Sequence, residues 1–298
     1  MNWNIAIQDY QSFLKIERGL SINTINSYTN DLEKLVKFLS ENTIEYSPIS
    51  IEENTIQQFI YEAAKKINSR SQARLISALR SFFDYLVFED YRKTNPTDLI
   101  EAPKIGRKLP DTLSEEEIDA LIGTIDLSHP FGERNRTILE TMYSCGLRVS
   151  EVITLKISDL FFEEGFIRVL GKGNKERFIP IHSQAQKYIL SYINDIRIHQ
   201  DSQKNHEDTL FLSRRGKGLT RQMVFMILNE TAIKINLKKK ISPHTFRHSF
   251  ATHLLKNGAD LRAIQQMLGH ESITTTEIYV HLDKSYLKDV VETFHPRR

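Results

Sequence analysis

The chain's 298 residues, 40% of them hydrophobic, make an ordinary globular composition long enough for two cores. No apolar run approaches the roughly 20 residues of a membrane span, and the amino terminus MNWNIAIQDYQ lacks the charged and apolar regions of a signal peptide, so a cytoplasmic protein is expected. The formal net charge of +2 hides an uneven distribution: residues 1–100 hold 11 Lys/Arg against 13 Asp/Glu, whereas residues 210–258 hold 10 against Glu230 alone, which marks either a polyanion footprint or a plain basic face.

The first 93 residues carry apolar side chains at three- and four-residue spacing, with Leu32, Leu35, Val36 and Leu39 in one run and Leu75, Leu79, Phe82, Phe83 and Leu86 in another. This predicts a wholly helical domain with helices near 3–18, 21–40, 52–66 and 69–90, the second capped by Ser21 and preceded by Gly19. Arg70 and Arg74 share a face away from the apolar stripe, suited to phosphate contact or to plain exposure. Residues 94–112, TNPTDLIEAPKIGRKLPDT, hold three prolines and no helical period and read as an interdomain linker. Its Lys104, Arg107 and Lys108 are candidate DNA contacts.

The second domain, 113–298, opens with a Ser114/Glu117 capping box and a helix over 114–125. Helices near 133–145 and 149–155 follow, and Cys145, the single cysteine, excludes an intramolecular disulfide or a cysteine-rich zinc site and reads as a packing residue. In FIRVLGKGNKERFIPI (166–181) two β-rich runs flank GKGNK, a hairpin with Lys172 at its tip. Helical patterns resume at 183–200, 220–236, 244–257, 260–268 and 283–292. The expected fold is therefore mainly α with a small antiparallel sheet, and Arg214, Arg215 and Arg221 of the basic segment join the candidate DNA contacts.

A phosphate diester repels nucleophiles, so breaking one calls for fixed cations, a nucleophile and an acid for the leaving oxygen. GLRVSEV (146–152) sets Arg148 and Glu151 three residues apart at a helix start, where the carboxylate can orient the guanidinium or form an ordinary surface pair. In SPHTFRHSFATHLL, Ser242 is a candidate cap and Pro243 suits the first turn, so His244 and Arg247 fall one turn apart, facing one phosphate. Two arginine forks can hold non-bridging oxygens. Tyr279, nine residues after His270 in LGHESITTTEIYVH, is the candidate nucleophile, although beside Ile278 and Val280 it equally suits packing. With an ordinary pKa of about 10 it needs a base or a cationic field, for which His244 is the candidate. His270 would bond a phosphate oxygen and Lys172 would protonate the departing sugar oxygen. A zinc reading of His244 and His248 lacks the glutamate that hydrolytic zinc helices carry after the first histidine, and with two arginines to hold the phosphate no metal is expected.

In order and identity, Arg148, Lys172, His244, Arg247, His270 and Tyr279, with Glu151 as the acidic position, resemble the tyrosine recombinase (phage integrase-like) family. The wording LGHESITTTEIYVH and the ending FHPRR resemble its bacterial Xer recombinases. The resemblance implies a helical SAM-like DNA-binding domain, a C-shaped clamp on duplex DNA and a 3′-phosphotyrosyl intermediate. It further implies two strand exchanges through a Holliday junction within a homo- or hetero-tetramer on DNA. For Xer enzymes it implies chromosome-dimer resolution at a dif-type site, with a second Xer recombinase and an FtsK-type translocase as partners. It also suggests that the apolar face of 283–294 packs on a neighbouring protomer, where the residues alone allow packing on its own domain. A mobile-element integrase, a type IB topoisomerase-like enzyme and a non-catalytic DNA-binding protein are the competing readings.

Overall fold

A computed structural model of the chain describes residues 1–104, 112–171, 175–269 and 284–297, with the backbone alone for 284–286. Two compact units, Met1–Lys108 and Leu109–Arg298, divide it. No helix among the described residues is long and apolar enough to cross a membrane.

The first unit holds helices α1 (Trp3–Ile16), α2 (Ile22–Glu41), α3 (Glu53–Ala64) and α4 (Ser69–Phe88). Asn2, Ser21 and Asn68 cap three of them by accepting from Ile5, Thr24 and Ser71 N–H, which satisfies donors that a helix start leaves free. The predicted stripes close on a core of Tyr10, Leu14, Leu32, Leu35, Leu39, Leu79, Phe82, Phe83 and Leu86. The stretch read as a linker starts out packed on this unit. Asn95 donates to Asp84 (2.7 Å) and accepts from Thr97 N–H, Arg80 donates to Ile100 O (2.7 Å), and Ile100 is buried in the core. The prolines of this stretch do not free it from the unit, because side-chain amide and guanidinium groups bond its backbone.

The second unit runs α5 (Glu115–Gly123), α6 (Gly132–Ser144), α7 (Val149–Thr154), β1 (Leu160–Phe161), β2 (Phe166–Leu170), β3 (Glu176–Pro180), α8 (Ser183–Ser191), α9 (Arg221–Lys234), α10 (Pro243–Lys256), α11 (Leu261–Leu268) and α12 (Lys284–Phe294). The capping box at Ser114 and Glu117 is formed. The sheet is antiparallel with order β1-β2-β3, so a short strand not expected from the sequence extends the hairpin. Its register pairs Ile167 with Ile179 and Val169 with Arg177. The helix expected over 183–200 widens after Ser191 into a π turn and a 3₁₀ turn. That change lets Tyr192 stack on Phe211 while Arg197 donates to Glu207 O (2.8 Å) and Thr209 O (3.1 Å).

Helix α6 is buried on every side, and Cys145 just after it is a buried packing residue. Helix α12 packs on its own unit through Leu287, Val290 and Val291. Behind it His295 is buried against Tyr143, His182 and Phe250, and Arg297 reaches Asp119 (2.6 Å) and Glu140 (3.2 Å).

Candidate active site

Gly146 turns the chain from α6 into α7. Its φ of +57° suits glycine, and a Cβ there would collide with the Phe250 ring. Arg148 then occupies the N-cap position of α7, and Glu151 reaches back to accept from Arg148 N–H (2.7 Å) and Nη1 (2.8 Å). The expected Arg148–Glu151 pair is thus a helix-start bridge with its carboxylate buried.

Two further arginines converge on that carboxylate. Arg177 of β3 lays its fork across both oxygens, Nη1 to Oε1 and Nη2 to Oε2, each at 2.8 Å. Arg247 of α10 places Nη1 3.8 Å from Oε2. Side-chain exposure grades from 34% at Arg148 through 14% at Arg177 to 6% at Arg247, with Glu151 at 1%. Arg148 is therefore the fork with most access to solvent. Burial alone would push Glu151 up, but the bonds and field of Arg177, then Arg148, hold it below the usual carboxylate range. Burial, then the neighbouring Arg148 cation, push Arg247 down to about 9, which leaves it charged at neutral pH.

The same three arginines hold the end of α11. A helix leaves its last carbonyls unpaired and carries partial negative charge there. Met267 O accepts from Arg177 Nε (2.9 Å), Leu268 O from Arg247 Nη2, and Gly269 O from Arg148 Nη2 (3.1 Å). Gly269, at φ +61°, ends the helix one residue before His270. Arg247 also donates to Gly146 O (2.8 Å), closing the ring back to α7.

Ser242 and Thr245 cap α10 reciprocally, with Pro243 in the first turn, as the sequence predicts. His244 is exposed at this helix start, one turn from Arg247. His248 is half-buried and held below its ordinary pKa by burial, then by His244. His253 is a core residue bonded to Tyr143 Oη (2.8 Å).

Lys172, His270 and Tyr279 lie outside the described residues, as do Arg107 and Lys108. Of the candidate DNA contacts, Arg70, Lys104, Arg214, Arg215 and Arg221 are exposed. Arg74 is exposed as well, and it also forms a bidentate pair with Asp31, Nε at 2.9 Å and Nη2 at 3.1 Å. Sequence reasoning missed Arg177. Its signal was alternation: Arg177 stands two residues before the buried Ile179 on one strand, which puts an arginine on the core-facing side.

Three guanidinium groups around one carboxylate leave a local excess of positive charge suited to a phosphodiester. The Phage integrase family model matches residues 111–285, and the Phage integrase, N-terminal SAM-like domain model matches residues 7–90. The chain belongs to the phage integrase family. Its relatives include Tyrosine recombinase XerD of Staphylococcus epidermidis, 44% identical over 99% of both chains. XerD of Staphylococcus saprophyticus is 45% identical over 98% of each. A solved structure of the XerH site-specific recombinase bound to palindromic difH substrate, in a post-cleavage complex, matches at a TM-score of 0.72. It is 25% identical over 96% of this chain and 84% of that one. Like the family's other members, the chain is a tyrosine recombinase, a DNA strand-transfer enzyme.

Proposed function

We propose that the chain is a site-specific recombinase that cuts and rejoins duplex DNA at a dif-type site and so resolves chromosome dimers. The observation that carries the site is the Glu151-centred cluster, where Arg148 and Arg247 converge from two helices onto one carboxylate. The likeness to XerD over nearly the whole chain supports the biological role.

In this reading the Tyr279 phenolic oxygen attacks the scissile phosphorus while His244 takes the phenolic proton. The bond from phosphorus to the 5′ oxygen breaks, Lys172 protonates that oxygen, and a 3′-phosphotyrosyl ester remains. Arg148 and Arg247 hold the non-bridging oxygens with His270. The reverse step on a second strand rejoins the DNA and conserves the bond energy, so no cofactor enters. Two such exchanges pass through a Holliday junction in a tetramer of this chain alone or with a second Xer recombinase, and an FtsK-type translocase is the proposed activator. Arg70, Arg74, Lys104, Arg107, Lys108, Arg214, Arg215 and Arg221 are the proposed phosphate contacts.

The test incubates full-length protein, in EDTA, with a nicked duplex carrying the host's dif-like sequence, and looks for an SDS-resistant adduct. Wild type is expected to form one and Tyr279→Phe none. Equal products from both proteins would refute the assignment.

A further inference from the structure

We propose that Arg177 is a positioning residue for strand transfer, acting through Glu151 and the end of α11 rather than on the DNA. The inference rests on the strand-transfer reading above and extends it to a residue with no part in that chemistry.

Charge accounting is the first support. Glu151 carries one negative charge inside the cluster, and a buried carboxylate must be neutralised by whatever cations it can reach. Arg177 commits three of its five N–H groups, one from each Nη to the two Glu151 oxygens and Nε to Met267 O, and at 14% exposure it is far less open to a phosphate than Arg148 at 34%. With Glu151 neutralised by Arg177, the charges of Arg148 and Arg247 remain available to a phosphate. Without Arg177, Glu151 would draw on those two, and the field at the reacting centre would fall by about one charge.

Position is the second support. A Cβ on Gly171 would lie 3.2 Å from Arg177 Nη1, and one on Gly269 would lie 3.2 Å from Arg177 Cδ. The Arg177 side chain therefore packs between the residues that immediately precede Lys172 and His270 in the chain. One side chain thus ties the hairpin base, the α7 carboxylate and the α11 terminus together. Lysine cannot replace it, because an ammonium lacks the planar fork and the separate Nε donor.

The test compares wild type, Arg177→Met and Arg177→Lys in single-turnover adduct formation on two nicked substrates. One carries the natural phosphodiester; in the other a methyl group replaces one non-bridging oxygen of the scissile phosphate, so the reacting centre is neutral. Arg177→Met is expected to cleave the natural substrate about 100-fold more slowly, with DNA affinity changed less than about three-fold. On the neutral substrate it should approach the wild-type rate, because the missing charge is no longer needed. Arg177→Lys should fall between, with the same substrate dependence, and it decides the matter if thermal melting shows Arg177→Met unfolded. Unchanged cleavage of the natural substrate, or equal losses on both substrates, would overturn the role. A wild type without any Tyr279-dependent adduct would overturn the strand-transfer reading and this role with it, whereas a wild-type adduct matched by the variants overturns this role alone.

Discussion

Asp31 in the first unit and Glu151 in the second are each a buried carboxylate held by two or more cations, and the two differ in what surrounds those cations. In the first unit Asp31, fully buried, takes Lys34 (2.7 Å) and Arg74, whose side chains remain 49% and 46% exposed. In the second, Glu151 takes Arg148 and Arg177, with Arg247 close by, and two of those three are themselves nearly enclosed. The Asp31 cluster joins α2 to α4 and ends at solvent. The Glu151 cluster joins α7, β3 and α10, and its arginines continue onto three successive carbonyls of α11. The contrast separates a charge pair that fastens two helices from one that prepares a cationic surface. In the second case Arg177 and Arg247 cannot relax into water when the carboxylate changes.

Neutralising each carboxylate should widen this difference. Glu151→Gln strands the enclosed Arg177 and Arg247 and should cost the second unit about 3–5 kcal/mol, the range for breaking a buried pair. Asp31→Asn leaves partners that can turn to water and should cost the first unit about 1–2 kcal/mol. Denaturant unfolding followed by probes in each unit measures both, and similar losses would break the comparison.

Acid should act on one unit more than the other. All ten histidines lie at or beyond His129, in the second unit. Burial, then the Arg297 cation, lowers His182 from 6.5 to about 4; burial, then His182, lowers His295 to about 3. The unfolded chain takes up these protons near pH 6.5 and the folded unit only near pH 4 or below, so between those values the unfolded state binds more protons. Stability of the second unit should therefore be complete above about pH 7 and fall by up to about 1.4 kcal/mol per pH unit for each histidine as the pH drops through that window. Unfolding at pH 7 and pH 5 should show this loss in the second unit's transition and not through any histidine of the first. His295→Phe should weaken the dependence.

Much of this molecule is legible locally. Ser21, Ser114 and Ser242 announce helix starts, the 3.6-residue stripes announce α2 and α4, and the two β-rich runs of 166–181 announce β2 and β3, because each signal spans a few neighbouring residues. Arg148, Glu151, His244 and Arg247 were legible for the same reason, being paired at one-turn spacing. What escaped depends on distant partners. Arg177 meets Glu151 across 26 residues and Met267 across 90, and no local pattern marks such a meeting. Arg74 looked free because Asp31 lies 43 residues away. Likewise FHPRR gave no sign that His295 would be buried beside Tyr143, 152 residues earlier. Asn95 and Ile100 were hidden by the prolines around them, which mark the end of a helix but not what the following residues bind.

The most direct test measures single-turnover adduct formation by Glu151→Gln and Asp31→Asn side by side, on the nicked dif-type duplex at a temperature where both are folded. If Glu151 prepares the arginines for phosphate, Glu151→Gln should be slowed about 100-fold or more, while Asp31→Asn should form adduct at close to the wild-type rate. Equal rates for the two variants, or a greater loss in Asp31→Asn, would contradict a Glu151-centred active site.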